Sequence, residues 1–142
     1  MFKLREKNKR VIFYFFFIVF LFFLERCLKF FYLSRGEVFY NKNIAFNIYL
    51  EKGVFYFLFF LIFALLVLCL ITSFKKEKIF FIFSFSFILV GAFSNFIDRF
   101  FYDAIIDYWQ IPFTIFNLAD LYILLGILML LMSIWKKEKK GL

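Results

Sequence analysis

The chain has 142 residues, is 65% hydrophobic and carries a net charge of +8. That length is one domain. With a mean hydropathy of +0.90 it holds more apolar surface than a soluble globule of its size could bury, which makes it an integral membrane protein. Most of the Lys and Arg residues flank apolar runs, so the positive charge reads as membrane topology rather than nucleic-acid binding, and no nucleic acid is expected. There is no His, and Cys27 and Cys69 show neither disulfide-framework nor metal-ligand spacing, so no metal or cofactor is expected.

The first apolar run covers residues 11–33. Its opening "VIFYFFFIVFLFFL" is uncharged, and "ERCLK" then brings Glu25, Arg26 and Lys29. A basic start before an apolar run imitates a cleavable signal, but no small-residue cleavage site follows. Glu25 and Arg26 also stand where a lipoprotein cleavage box needs small residues, so an uncleaved first helix is expected. A loop at 34–52 leads to a second, uncharged run at 53–74. The "KKEK" loop at 75–78 precedes a third uncharged run at 79–97. A second long loop at 98–116 leads to the fourth run, 117–135, uncharged after Asp120, and to the tail 136–142. Each run is close to the roughly 20 residues a spanning helix needs. None alternates with the period of a barrel strand, so all four are expected to be helices. Lys and Arg number twelve in the N-terminal tail, the 75–78 loop and the C-terminal tail, against four in the two long loops. Both termini are therefore expected in the cytoplasm and both long loops outside.

Depth along these helices brings three polar positions into one layer. At about 1.5 Å per residue, Glu25 lies roughly 21 Å from the inner end of its helix, Asn95 roughly 24 Å and Asp120 roughly 22 Å. Glu25 and Lys29 are four apart, as are Asn95 and Arg99, while Asn117 and Asp120 are three apart, so each pair shares a helical face. A charge at membrane depth costs about 2–3 kcal/mol on insertion scales and normally faces a bundle interior or water. Glu25 and Lys29 read either as members of a site or as an ion pair with Lys29 snorkelling to the surface. Asn117 also reads as a helix N-cap, and Arg99 beside Asp98 as an interfacial anchor. Asp120 has no basic residue within a turn and precedes an uninterrupted apolar run, which marks it as functional.

Without His, a metal cluster or a distinctive serine–lysine pairing, a carboxylate pair is the chemistry that remains. Two close carboxylates cannot both ionise easily, so one proton is shared and their pKa values split. The ionised member can take a proton from water while the protonated one polarises a carbonyl and later protonates the leaving amine. On spacing alone, Asp98, Asp103 and Asp107 all compete as the partner of Asp120.

The blocks "NKNIAF" (41–46), "GAFSNFIDR" (91–99), "IIDY" (105–108) and "FNLAD" (116–120) together resemble the lipoprotein signal peptidase (signal peptidase II) family, in the right order, as does "ERCLK" (25–29) more loosely. The resemblance spans essentially the whole chain. It implies an all-α membrane protein: a four-helix transmembrane bundle with a small extracytoplasmic β-sheet and a short surface helix from the two long loops. It implies an aspartyl endopeptidase of the bacterial cytoplasmic membrane, working near the outer leaflet. Such an enzyme removes the signal peptide from diacylglyceryl-modified prolipoproteins by cutting just before the lipidated cysteine. The catalytic pair would be Asp107 and Asp120. Asn41, Asn95, Asp98, Arg99, Asn117 and Ala119 match positions that line the site, with Glu25 and Lys29 in support. A monomer among membrane lipids, sensitive to cyclic peptide inhibitors of the globomycin type, is implied as well.

This chain departs from the family pattern at Glu25, where Asp is usual, and at Asn43, Val90, Ser94 and Asp103, where Gly is usual. Tyr108 replaces the usual Phe after the first catalytic aspartate. These changes bear on fine geometry and inhibitor affinity and leave both aspartates in place. The stretch "YWQIPFTIF" between them, with Pro112 and a β-favouring "FTIF", is expected to return to the fourth helix in extended form. The two carboxyl groups are then expected within a few ångströms of each other or of one shared water. Two other readings have their own signatures. A channel or transporter subunit using an intramembrane carboxylate as ion site would show ion flux without cleavage, and an inactive relative would bind substrate without turnover.

Overall fold

The computed structural model describes residues 2–42 and 51–138. Four helices carry the fold: α1 (Phe2–Arg35), α2 (Lys52–Lys75), α3 (Ile79–Tyr102) and α4 (Leu118–Glu138). Each contains a stretch long and apolar enough to cross a membrane: Val11–Arg35, Lys52–Lys75, Ile79–Tyr102 and Leu118–Trp135. The first helix begins well before its apolar run, because the charged segment that precedes it consists largely of good helix formers. Four short strands complete the chain: β1 (Phe39–Asn41), β2 (Ile105–Asp107), β3 (Trp109–Ile111) and β4 (Thr114–Phe116).

Helix α3 is the centre of the bundle. It packs on the other three helices, most extensively on α4, and buries Ser84, Ser86, Ile88, Val90, Gly91, Ser94, Asn95 and Asp98. In α2 only Ser73 is buried, so that helix lies on the flank. Phenylalanines such as Phe13, Phe16, Phe57 and Phe60 point outward, as the lipid-facing side of a spanning helix requires. Small residues bring α3 and α4 together. A Cβ on Gly91 would run into the Ala119 carbonyl, and one on Gly126 into the Ser84 carbonyl and the Ile88 side chain. Ser94, at one of the positions where the resemblance has Gly, is completely buried, so its small size preserves the packing.

The strands form two antiparallel ribbons rather than one sheet. β1 pairs with β2, placing Phe39 opposite Asp107 and Asn41 opposite Ile105. β3 and β4 form a hairpin with Trp109 opposite Phe116, turning at Pro112 and Phe113. Pro112 has no N–H to offer a ladder and stands at the turn, where none is needed. Among the described residues there is no separate short surface helix; Asn43 and the rest of 43–50 lie outside them.

Helix α3 ends on Asp103, whose backbone is left-handed (φ 54°) and whose N–H bonds the Arg99 carbonyl. That conformation explains why glycine suits this position, and why aspartate, which tolerates it better than most residues, can replace it. The exposed Asp103 carboxylate meets Lys52 at 2.6 Å, fastening the end of α3 to the start of α2.

Candidate active site

The N-terminus of α4 organises the site. Asn117 precedes the helix, and its Oδ1 accepts the Asp120 N–H at 3.0 Å. Asp120 Oδ2 in return accepts the Asn117 N–H at 3.1 Å. This reciprocal capping box satisfies two of the donors that a helix start leaves open, and it fixes the Asp120 rotamer. The free end of the same Asn117 amide donates to Asp107 Oδ1 at 2.7 Å, and it also reaches Asn95 Oδ1 and the Ile106 carbonyl. One asparagine therefore holds both carboxylates. Asp107 is 2% exposed at the end of β2. Its second oxygen accepts from Asn41 Nδ2 at 3.2 Å, and Asn95 Nδ2 donates to Asp120 Oδ1 at 2.8 Å.

Both aspartates line one pocket of about 450 Å³, together with Asn41, Asn95, Arg99, the aromatic rings of Phe55, Phe59 and Phe96, and residues of β4. Burial raises the Asp107 pKa from its ordinary 3.8 to about 6, and the neighbouring Asp120 charge adds to the effect; the amides of Asn41 and Asn117 and the Lys29 charge act the other way. Near pH 6 this carboxyl is thus divided between its acid and its base form.

Of the residues named from the sequence, Asn41, Asn95 and Arg99 line this pocket. Arg99 donates to the Lys42 carbonyl at 3.3 Å and lies over the Phe55 ring, strapping the α1–α2 connection to α2 and α3. Asp98, Asn117 and Ala119 are completely buried and stand behind the pocket. Ala119 is the backbone against which Gly91 packs. Asp98, a competitor for the catalytic partnership on spacing, is committed elsewhere. It accepts from Lys29 at 2.5 Å, Arg26 at 2.6 Å and the Ile106 N–H at 3.2 Å. Asp103, the other competitor, is the exposed partner of Lys52.

Lys29 does not snorkel. It is 1% exposed, ion-paired to Asp98 and to Glu25 (3.2 Å), and donates to Asn95 Oδ1 at 2.8 Å. Two participants were not singled out in the sequence. Arg26 is one, although its position three residues before Lys29 on the same helical face was a usable signal. The Tyr108 hydroxyl is the other, donating to Glu25 Oε2 at 2.8 Å; its signal was the replacement of a phenylalanine.

Comparison with known proteins gives the chain's family and fold. Residues 22–136 match the family model described as Signal peptidase (SPase) II. A protein of Streptococcus thermophilus named lipoprotein signal peptidase is 33% identical over 102 residues, covering 69% of this chain and 66% of that one, just under two thirds of its length. One of Listeria monocytogenes with the same name is 30% identical over 105 residues, covering 70% and 68%. A solved bacterial membrane enzyme, determined by the in meso method at 2.3 Å, shares the fold with a TM-score of 0.73 at 23% identity, covering 89% of this chain and 90% of that one. The chain is a multi-pass membrane protein and belongs to the signal peptidase II family.

Proposed function

We propose that the protein is an aspartic endopeptidase that removes the signal peptide from diacylglyceryl-modified prolipoproteins, cutting just before the lipidated cysteine. The observation that carries this reading is the pair Asp107 and Asp120, delivered by a strand and a helix into one pocket and held by the same asparagine. Asp120 acts as the base that takes a proton from water. Asp107, with its pKa near 6, gives its proton to the scissile carbonyl oxygen as the water oxygen bonds to carbon. Collapse of the resulting diol breaks the C–N bond, and a carboxyl proton passes to the leaving amine, so no covalent intermediate forms.

The substrate is held by the membrane, so the search for it is lateral. The pocket shares Phe55, Phe59 and Ala92 with an apolar groove of about 250 Å³ that continues along α2 past Leu58, Ile62, Phe63 and Leu66. An acyl chain lying there would bring the adjoining peptide to the aspartates. Both termini and the 75–78 loop face the cytoplasm, the two long connections lie outside, and the site works at the outer leaflet as a monomer open to cyclic peptide inhibitors. The test is incubation of the purified protein with a diacylglyceryl-modified prolipoprotein, followed by gel shift. Cleavage is expected for the native protein and none for Asp120→Asn or Asp107→Asn at normal expression. Full activity in either variant would overturn the dyad. Binding without cleavage by the native chain would mark an inactive relative.

A further inference from the structure

The proposed chemistry makes no use of the Tyr108 hydroxyl, yet that group is buried and bonded on both sides. Its O–H donates to Glu25 Oε2 at 2.8 Å, and its oxygen accepts the Leu118 N–H at 3.0 Å. The ring lies flat on Tyr32 of α1, with centroids 4.7 Å apart and planes 9° apart. The first turn of a helix leaves its N–H groups without intrahelical partners. In α4 the capping box meets those of Asn117 and Asp120, Tyr108 meets that of Leu118, and the Ala119 backbone faces the Glu25 carboxylate. Glu25 is itself ion-paired to Lys29. Burial, reinforced by Glu25, raises the pKa of the Tyr108 hydroxyl far above its ordinary value, so it remains a donor across any working pH. A phenylalanine here could stack on Tyr32 but could make neither hydrogen bond. Two of the chain's departures from its family pattern, Glu25 and Tyr108, therefore touch each other.

We propose that Tyr108 is a positioning residue for peptide-bond cleavage. Its hydroxyl ties the first turn of α4, which carries Asp120, to Glu25 of α1, while its own backbone continues directly from Asp107. One residue thus sets the spacing of the two carboxylates. Small misplacements of reacting groups are costly in rate and need not change substrate affinity.

The inference rests on the peptidase reading, and two measurements on the purified full chain separate them. The first is kcat and KM on a diacylglyceryl-modified prolipoprotein for the native protein, Tyr108→Phe, Glu25→Gln and the double variant. Each single substitution is expected to lower kcat about tenfold or more with KM within about twofold, and the double variant to be no slower than the slower single one. A kcat for Tyr108→Phe within twofold of native, or losses that multiply in the double variant, would overturn the proposal. The second is amide hydrogen exchange over residues 117–121, which needs no substrate. Exchange at Leu118 is expected to quicken about tenfold in Tyr108→Phe, and unchanged exchange would also overturn it. If the native protein fails to cleave, the peptidase reading falls and the exchange result alone decides the tether. If Tyr108→Phe gives no monodisperse protein, Glu25→Gln, which preserves side-chain shape, is read by the same two measurements.

Discussion

Asp107→Asn is expected to abolish cleavage and, at neutral pH, to make the protein more stable. In the native fold the Asp107 carboxyl has its pKa raised from 3.8 to about 6. The folded state therefore holds this proton more tightly than the unfolded one. The stability this confers is complete below about pH 4 and is lost as pH rises through about 6. At pH 7–8 the folded protein carries the full cost of an ionised, 2% exposed carboxylate. Taking about 1.36 kcal/mol for each tenfold change in ionisation, that cost is about 3 kcal/mol. An asparagine removes it. The Asn117 amide can still donate to the asparagine oxygen, but the new NH2 faces Asn41 Nδ2, which now donates to Asp107, and that donor–donor clash returns about 1 kcal/mol. The net gain is about 2 kcal/mol, roughly 4–8 °C in Tm for a domain of this size. The assay is thermal unfolding of purified native and variant protein at pH 5 and pH 8. A clear gain at pH 8 that shrinks toward pH 5 is expected. An equal or lower Tm for the variant at pH 8 would refute the argument that Asp107 is held against its own charge.

Asp120→Asn removes the neighbouring negative charge, so the Asp107 pKa is expected to fall from about 6 toward its ordinary value, read by carboxyl-carbon NMR; an unchanged value would show that the two carboxylates do not sense each other. Lys29→Met strips the shared cation from Glu25 and Asp98, both completely buried, and is expected to cost about 3–5 kcal/mol in thermal or denaturant unfolding. Gly91→Val drives a side chain into the Ala119 carbonyl and is expected to prevent isolation of monodisperse protein, as judged by gel filtration; a native-like Tm would contradict the close α3–α4 approach. Lys52→Ala breaks a surface ion pair with Asp103 and is expected to change stability by less than about 1 kcal/mol.

The four helices were legible because hydrophobic length alone identifies a spanning segment, and the polar layer because helical rise converts sequence position into depth. Spacing did not choose among Asp98, Asp103 and Asp107 as partner to Asp120. What sets them apart in the fold is the β1–β2 register, which turns Asp107 toward Asn41 and Asn117, and Arg26 and Lys29, which occupy Asp98. Neither is a local property of the chain. The division between pocket-lining and supporting residues was hidden for the same reason. Ala119 and Asn117 lie within four residues of Asp120, but their positions are set by how closely α3 approaches α4. The first-loop motif was only half accessible: Asn41 reaches Asp107, whereas Asn43 lies outside the described residues.

On the proposed peptidase reading, the charges around Asp107 and Asp120 would keep the pair able to share a proton. A lysine or arginine paired directly with each aspartate would favour both ionised forms and leave no acid to protonate the leaving group. The cations Lys29 and Arg26 are instead bonded to Glu25 and Asp98, Arg99 shares the pocket with both aspartates, and the donors that reach Asp107 and Asp120 include the amides of Asn41, Asn95 and Asn117. Asn95 joins the two layers. An ammonium can only donate, so Lys29 at 2.8 Å compels Asn95 to present its oxygen. The Asn95 nitrogen must then face Asp120, where it donates at 2.8 Å. Lys29 thus acts on Asp120 by fixing the orientation of an amide dipole, without bringing its positive charge into contact. On the proposed reading, this gives a buried lysine on α1 a reason to matter for chemistry at β2 and α4.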